Sequence, residues 1–176
     1  MHVNSQKAEE QAVLNLACAI CAAARTAPKA CGIDHMDTAV LTGEDKGKVA
    51  DEMRRLGEAL SAPFFARDAD NVDASAAVVL IGMKYETRGL NQICGICGFS
   101  DCAACAAAGA ACVFTGVDLG IAVGSAVAMA ADARVDNRVM FTIGKAAASM
   151  GLMGDYKMIM GIPLSASGKS PFFDRK

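Results

Sequence analysis

The chain has 176 residues, 53% of them hydrophobic, 20% charged and 5% aromatic, with no tryptophan, eight cysteines and a net charge of −2. That length and apolar share exclude a disordered chain and allow a single domain over residues 1–176 to bury ~70% of its unfolded surface without a disulfide scaffold. Acids and bases are interspersed, so there is no basic stripe for nucleic acid and no polybasic anchor for an anionic membrane, and neither is expected as a partner.

The polar N-terminus MHVNSQKAEEQ carries Lys7, Glu9 and Glu10 where a secretory signal needs a basic head running straight into an apolar stretch, and a cytoplasmic protein is expected. A helix follows from Gln6 to about Arg25, capped by Asn4 or Ser5 and stopped by the Thr26-Ala27-Pro28 break; Val13, Leu16, Ala17, Ile20 and Ala24 share one face. Cys18 and Cys21 lie on that helix and Cys31 follows it. Together they read either as small buried residues or as a second metal or redox site, perhaps borrowing Cys105, with Cys31 a candidate reactive thiol. His35, beside Asp34 and Asp37, reads as a solvated loop residue or as a proton donor near a cofactor.

Asp37 to Leu41 is a short β-branched strand, and Thr42-Gly43-Glu44-Asp45 reads as a capping box opening a helix to about Leu60. Ala76 to Met83 is a continuous apolar run of strand length, as in a central strand covered on both faces. A loop rich in Gly and Cys begins at Arg88. Helices are expected at about Asp101 to Ala111, Asp118 to Ala131 and Asn137 to Gly151, with Asp136 as a cap, and a last strand at Lys157 to Pro163. Asp118 and several glycines interrupt the Ala-rich stretch from Cys102 to Ala131, so no membrane-spanning run is expected and the stretch reads as buried helix. Gly116, Gly120 and Gly124 form a stripe where another backbone is expected to approach. Gly168-Lys169-Ser170 lacks the preceding glycine of a phosphate loop, since Pro163 stands there. The pattern is an α+β or α/β domain with one central sheet and an inserted cofactor loop at residues 92–113.

Five of the eight cysteines fall in that loop, as Cys94-x2-Cys97-x4-Cys102-x2-Cys105 with Cys112 beyond. Two intervening residues let both thiolates of a turn reach one metal centre, while Gly95 and Gly98 free the backbone to wrap it. Zinc ribbons separate their cysteine pairs by about 15–20 residues, so this compact spacing points to an iron–sulfur cluster rather than zinc. On spacing alone either Cys105 or Cys112 serves as fourth ligand beside Cys94, Cys97 and Cys102.

The run Cys94-Gly95-x-Cys97-Gly98-x3-Cys102 resembles the small four-iron four-sulfur domains of Rnf-type electron-transport and acetyl-CoA decarbonylase subunits. Together with Asp118-Leu119-Gly120-Ile121-Ala122, Asp136-Asn137-Arg138, Gly161-Ile162-Pro163-Leu164-Ser165 and Phe173-Asp174-Arg175, it resembles a family of uncharacterised bacterial and archaeal proteins described as containing a ferredoxin domain. That resemblance implies a four-iron four-sulfur cluster on Cys94, Cys97, Cys102 and Cys112, with electron transfer to a partner protein or a flavin. Ala24 to Pro28, Ala39 to Gly43, Asn137 to Leu152 and Gly161-Ile162-Pro163 are also similar to the nitroreductase fold. This implies an α+β domain with a central mixed or antiparallel sheet flanked by helices, a homodimer and bound FMN, with Arg25, Lys29, Lys169 and Arg175 as the basic residues available to its phosphate. The arginine-bearing N-terminal arm of those enzymes is absent, and Lys29-Ala30-Cys31-Gly32 follows Pro28 in place of their polar pattern.

Overall fold

A computed structural model describes residues 2–173. The first helix, α1 (Ser5–Thr26), is capped by Asn4, whose side chain accepts from the Lys7 N–H at 3.0 Å, and it ends before Pro28 as its sequence dictates. Strand β1 (Met36–Leu41) leads into α2 (Gly43–Ala59), where Thr42 occupies the cap position without a side-chain capping bond. A further helix, α3 (Phe64–Asp73), precedes β2 (Ala77–Met83) and is absent from the sequence expectation; Phe65, Ala69 and Val72 form its buried stripe.

The second half contains α4 (Cys102–Ala107), α5 (Val113–Asp132), β3 (Asp136–Asn137), α6 (Phe141–Ser149) and β4 (Met158–Ser165). Two boundaries correct the sequence reading. Helix α5 starts at Val113, not Asp118, because the carboxylate of Asp118 is neutralised inside the protein rather than capping a terminus. Asp136-Asn137 is not a helix start: both residues pair with Ser165 and Leu164 as an edge strand, and the helix begins at Phe141.

All pairings are antiparallel, in the order β1-β2-β4-β3, which selects the antiparallel form of the expected α+β sheet. Strand β2 is buried along its whole length and alternates between two cores, as the two-residue period of a strand requires. Ala77, Val79, Ile81 and Met83 face α1 and α5, while Val78 and Leu80 face α2, α3 and α6.

Helix α5 differs from expectation in two further respects. By length and composition alone its 20 residues are long and apolar enough to cross a membrane, with a mean hydropathy of 1.7, and only a third of that stretch is buried. Its inner stripe of Leu119, Ala122, Ala126 and Ala130 packs into the core with α1. Gly116, Gly120 and Gly124 lie on its outer face, and a Cβ at any of them would meet nothing within 4 Å. The close backbone approach is instead between α6 and β4, where a Cβ on Gly144 would stand 1.7 Å from the Ile159 carbonyl oxygen and one on Gly161 would stand 2.2 Å from Ile143.

Gly144→Ala should therefore separate α6 from the sheet and cost about 3 kcal/mol or more, as overpacking against rigid backbone does. Gly47→Ala, in open space on α2, should instead gain about 0.5–1 kcal/mol. Urea unfolding of both variants checks this, and equal midpoints would contradict it.

Candidate metal centre

The chain leaves the sheet at Met83 and enters a loop whose conformation its glycines permit: Gly95 and Gly98 have φ of +59° and +81°, a region costly for any residue with a Cβ. Asp101 ends the loop by accepting from the Ala104 N–H at 2.8 Å, which starts α4 with Cys102 at its first position. After one and a half turns the chain reverses, and Cys112 becomes the cap residue of α5. Loop, short helix and long-helix terminus thus bring cysteines from three segments together. Cys94, Cys97, Cys102, Cys105 and Cys112 all border one cavity of about 20 Å³.

The five thiols differ in their surroundings. Cys94, Cys97 and Cys102 are half-buried, and Cys102 Sγ accepts from the Asn91 N–H at 3.3 Å. Cys105 is only 1% exposed and its thiol donates to the Ala110 carbonyl at 3.6 Å. Burial, with Cys97 beside it, pushes the Cys105 thiol above its ordinary range. Cys112 is buried at the N-terminus of α5, where a long helix favours negative charge. The thiols ring the cavity rather than meeting at a point: among the described residues no three His, Cys, Asp or Glu side chains form a set that would grip a single ion.

Arg88 also borders the cavity and is the residue that sequence reasoning passed over. Its guanidinium and the Asp118 carboxylate are each 1% exposed, and Nε and Nη2 donate to Asp118 Oδ2 at 3.3 and 2.9 Å. Nη1 donates to the Glu86 carbonyl at 2.7 Å and lies 3.0 Å from His35 Nδ1. A guanidinium has no acceptor, so His35 Nδ1 takes the lone-pair role and its Nε2–H donates to Glu86 Oε2 at 3.0 Å. His35 is thus a fixed member of a buried network rather than a solvated loop residue, and its acid partner is Glu86, not Asp34 or Asp37. Asp118 Oδ1 in turn accepts from the Ala30 N–H at 3.0 Å, tying in the loop after α1.

The remaining candidates lie apart from the cavity. Cys18 and Cys31 are exposed, and Cys21 is half-buried beside Thr38, with its thiol raised by burial. Arg25 is bound to the Asp34 carboxylate and the Met36 carbonyl, and Lys29 donates to the carbonyls of Arg25 and Ala27 and lies 3.9 Å from Asp34. Against the opposing push of partial burial, Arg25 holds Asp34 below the usual carboxylate range. Lys169 is not near them. Its neighbours Ser167 and Pro171 line a cleft with Glu9, Glu10 and Leu14, at the opposite end of a helix ~33 Å long. Arg175 lies outside the described residues. Within one chain, the structure brings together two of the four basic residues, and both already have protein partners.

Residues 108–175 match a family described as "Uncharacterized protein containing a ferredoxin domain"; of the five cavity cysteines this span holds Cys112. An uncharacterized protein of Archaeoglobus fulgidus is 40% identical over 184 residues, covering 99% of this chain and 98% of its own. Among solved structures, the nitroreductase CinD of Lactococcus lactis in complex with chloramphenicol superposes with a TM-score of 0.58 at 16% identity, over 94% of this chain and 85% of that one. A variant of the FMN and NADPH-dependent nitroreductase NfnB from sphigopyxis sp. strain HMH gives 0.58 at 14% identity over 93% of this chain and 83% of that one. The fold is nitroreductase-like.

Asp118→Ala leaves the Arg88 guanidinium buried without its partner, which should cost about 3–5 kcal/mol of stability. Thermal or urea unfolding measures this directly, and a loss under 1 kcal/mol would show that the pair does not organise the site.

Proposed function

Because the chain belongs to the family of uncharacterized proteins containing a ferredoxin domain, we propose that it is a cytoplasmic redox protein carrying a four-iron four-sulfur cluster on Cys94, Cys97, Cys102 and Cys112. The observation that carries this reading is the convergence of five thiols from three chain segments on one cavity. When bound, such a cluster supplies reversible one-electron transfer, its potential set by charge, hydrogen bonds to sulfur and burial. The donor set fits it. Thiols spaced around a cavity suit several irons, each taking one thiolate, better than a tetrahedral zinc with all four sulfurs at about 2.3 Å. The enclosed space is smaller than a cluster, but the wall carrying Cys94 and Cys97 is free to yield: the adjacent Ile93 and Ile96 are 91% and 60% exposed.

Cys112 is preferred to Cys105 as fourth ligand. A ligand must shed its proton, which burial and the neighbouring thiols oppose at Cys105. Cys105 then remains a thiol hydrogen-bonded to Ala110, filling the space behind the ligands.

FMN is the second reading, favoured by the fold it shares with flavin-binding neighbours. Arg25 and Lys29 would have to exchange Asp34 and backbone carbonyls for a phosphate, and Lys169 would reach them only from a second chain. A homodimer is part of the proposal for a further reason. The outer face of α5 from Val113 to Ala131, with Val113, Val117 and Ile121 exposed between open glycines, carries no charge and suits a second copy of itself.

Anaerobically purified protein should contain close to four irons and four acid-labile sulfides per chain and show a reducible cluster by EPR. Cys112→Ser should lose it, whereas Cys105→Ala should keep it. Zinc alone would overturn the reading; retained yellow flavin without iron would replace it with the second; a cluster that does not cycle reversibly would make it a structural staple or sensor. Sedimentation should give a dimer of about twice the 18.1 kDa chain, which Gly120→Leu reduces to monomer; a wild-type monomer would remove the dimer from the proposal.

A further inference from the structure

A set of four thiolates around iron places net negative charge in a buried site, and reduction adds one more. Burial makes that charge costly unless a positive group faces it. The charged side chains on the cavity wall are Arg88 and Asp101, and the Asp101 carboxylate already accepts from the Ala104 N–H. Arg88 is therefore the only cation bordering the thiols among the described residues.

Arg88 borders the cavity while Asp118 does not, so of the two charged residues it is Arg88 that stands on the thiol side, with Asp118 held by the Ala30 N–H. Of the five guanidinium N–H groups, two are directed to Asp118, one to the Glu86 carbonyl and one to His35, which leaves one on Nη2 without a partner among the described residues. A buried pair gains from satisfying every donor, and an acceptor held in the cavity would complete this one.

Building on the proposed cluster, we infer that Arg88, fixed by Asp118, is the positioning residue that supplies the buried counter-charge of the cysteine cavity and raises the reduction potential of the cluster held there. The pair acts at short range and in a water-poor setting, so exposed charges elsewhere on the surface do not substitute for it.

The test is potentiometry followed by EPR on the full chain, comparing wild type with the double variant Arg88→Met/Asp118→Asn. The double change removes both charges, so net charge is constant, and Asp118→Asn keeps an oxygen for the Ala30 N–H. At the potential where wild type is half reduced, the ratio of reduced to oxidised cluster should fall about tenfold in the double variant, a shift of about 59 mV for one electron. Arg88→Lys, which keeps the charge but not the fork, should stay within about threefold of wild type. Should the double variant fail to fold, Asp118→Asn alone decides with the opposite sign, because it leaves Arg88 uncompensated and the reduced fraction should rise. An unchanged potential in the folded double variant, or equal shifts with Met and Lys, overturns the inference while leaving the cluster itself in place. A wild-type chain without iron overturns the cluster reading and this inference with it.

Discussion

The Arg88–Asp118 ion pair is the contact on which the cysteine region depends. It joins four pieces of chain: the loop leaving β2, the second turn of α5, the turn after α1 through Ala30, and the start of β1 through His35. Both groups are withdrawn from water, so the pair gains stability only because its hydrogen bonds are nearly complete; removing either partner would strand a charge. Hydrophobic packing would hold the helices against the sheet in any case. The pair adds a directional tie between α5, which Cys112 caps, and the loop that carries Cys94 and Cys97.

The two cores support that arrangement without taking part in it. The helices α2, α3 and α6 close one face of the sheet through Val49, Met53, Phe65, Leu80 and Ile143, with α6 pressed onto β4 so tightly that Gly144 and Gly161 are required. On the other face the cover is mostly alanine. Ala17, Ala24, Ala122, Ala126 and Ala130 let α1 and α5 lie close to the strands and to each other, and the N-terminus of α5 borders the cavity through Cys112 and Val113. The excess of small residues thus sets helix spacing, and helix spacing delivers the cap residue Cys112 to the thiols.

Legibility in the sequence followed the range of the interaction involved. Local signals held: the Asn4 cap, the Pro28 stop, the wholly buried β2 and the clustering of five cysteines all depend on residues near one another. Helix α3 was also within reach, since Phe65, Ala69 and Val72 recur at helical spacing, but the polar residues between them and Pro63 just before them dilute that signal. Asp136-Asn137 was misread because an acid followed by an amide is the usual mark of a helix cap, while its actual role is set by Leu164 and Ser165 on another strand. The glycine stripe announced a helix face but not which way that face turns. Arg88 left no local trace: a single arginine in a loop looks solvated until a partner thirty positions on comes to meet it.

Between Gly89 and Ala131 the charged residues are Asp101 and Asp118, and both are committed internally, one to the Ala104 N–H and one to Arg88. The whole cysteine segment and the outer face of α5 as far as Ala131 therefore reach the surface with no free charge; the exposed Asp132 closes the helix. Two needs are met by one composition. Around the cavity, an uncharged shell keeps the local dielectric low, so the Arg88 guanidinium acts strongly on whatever the thiols hold. Along α5, the same absence of charge leaves Val117 and Ile121 beside bare glycines on a surface that water solvates poorly. A carboxylate introduced there would oppose the Arg88 charge more strongly the closer it lay to Cys112. The proposed second copy would cover the same uncharged face, so the composition that suits the cavity also suits the proposed dimer.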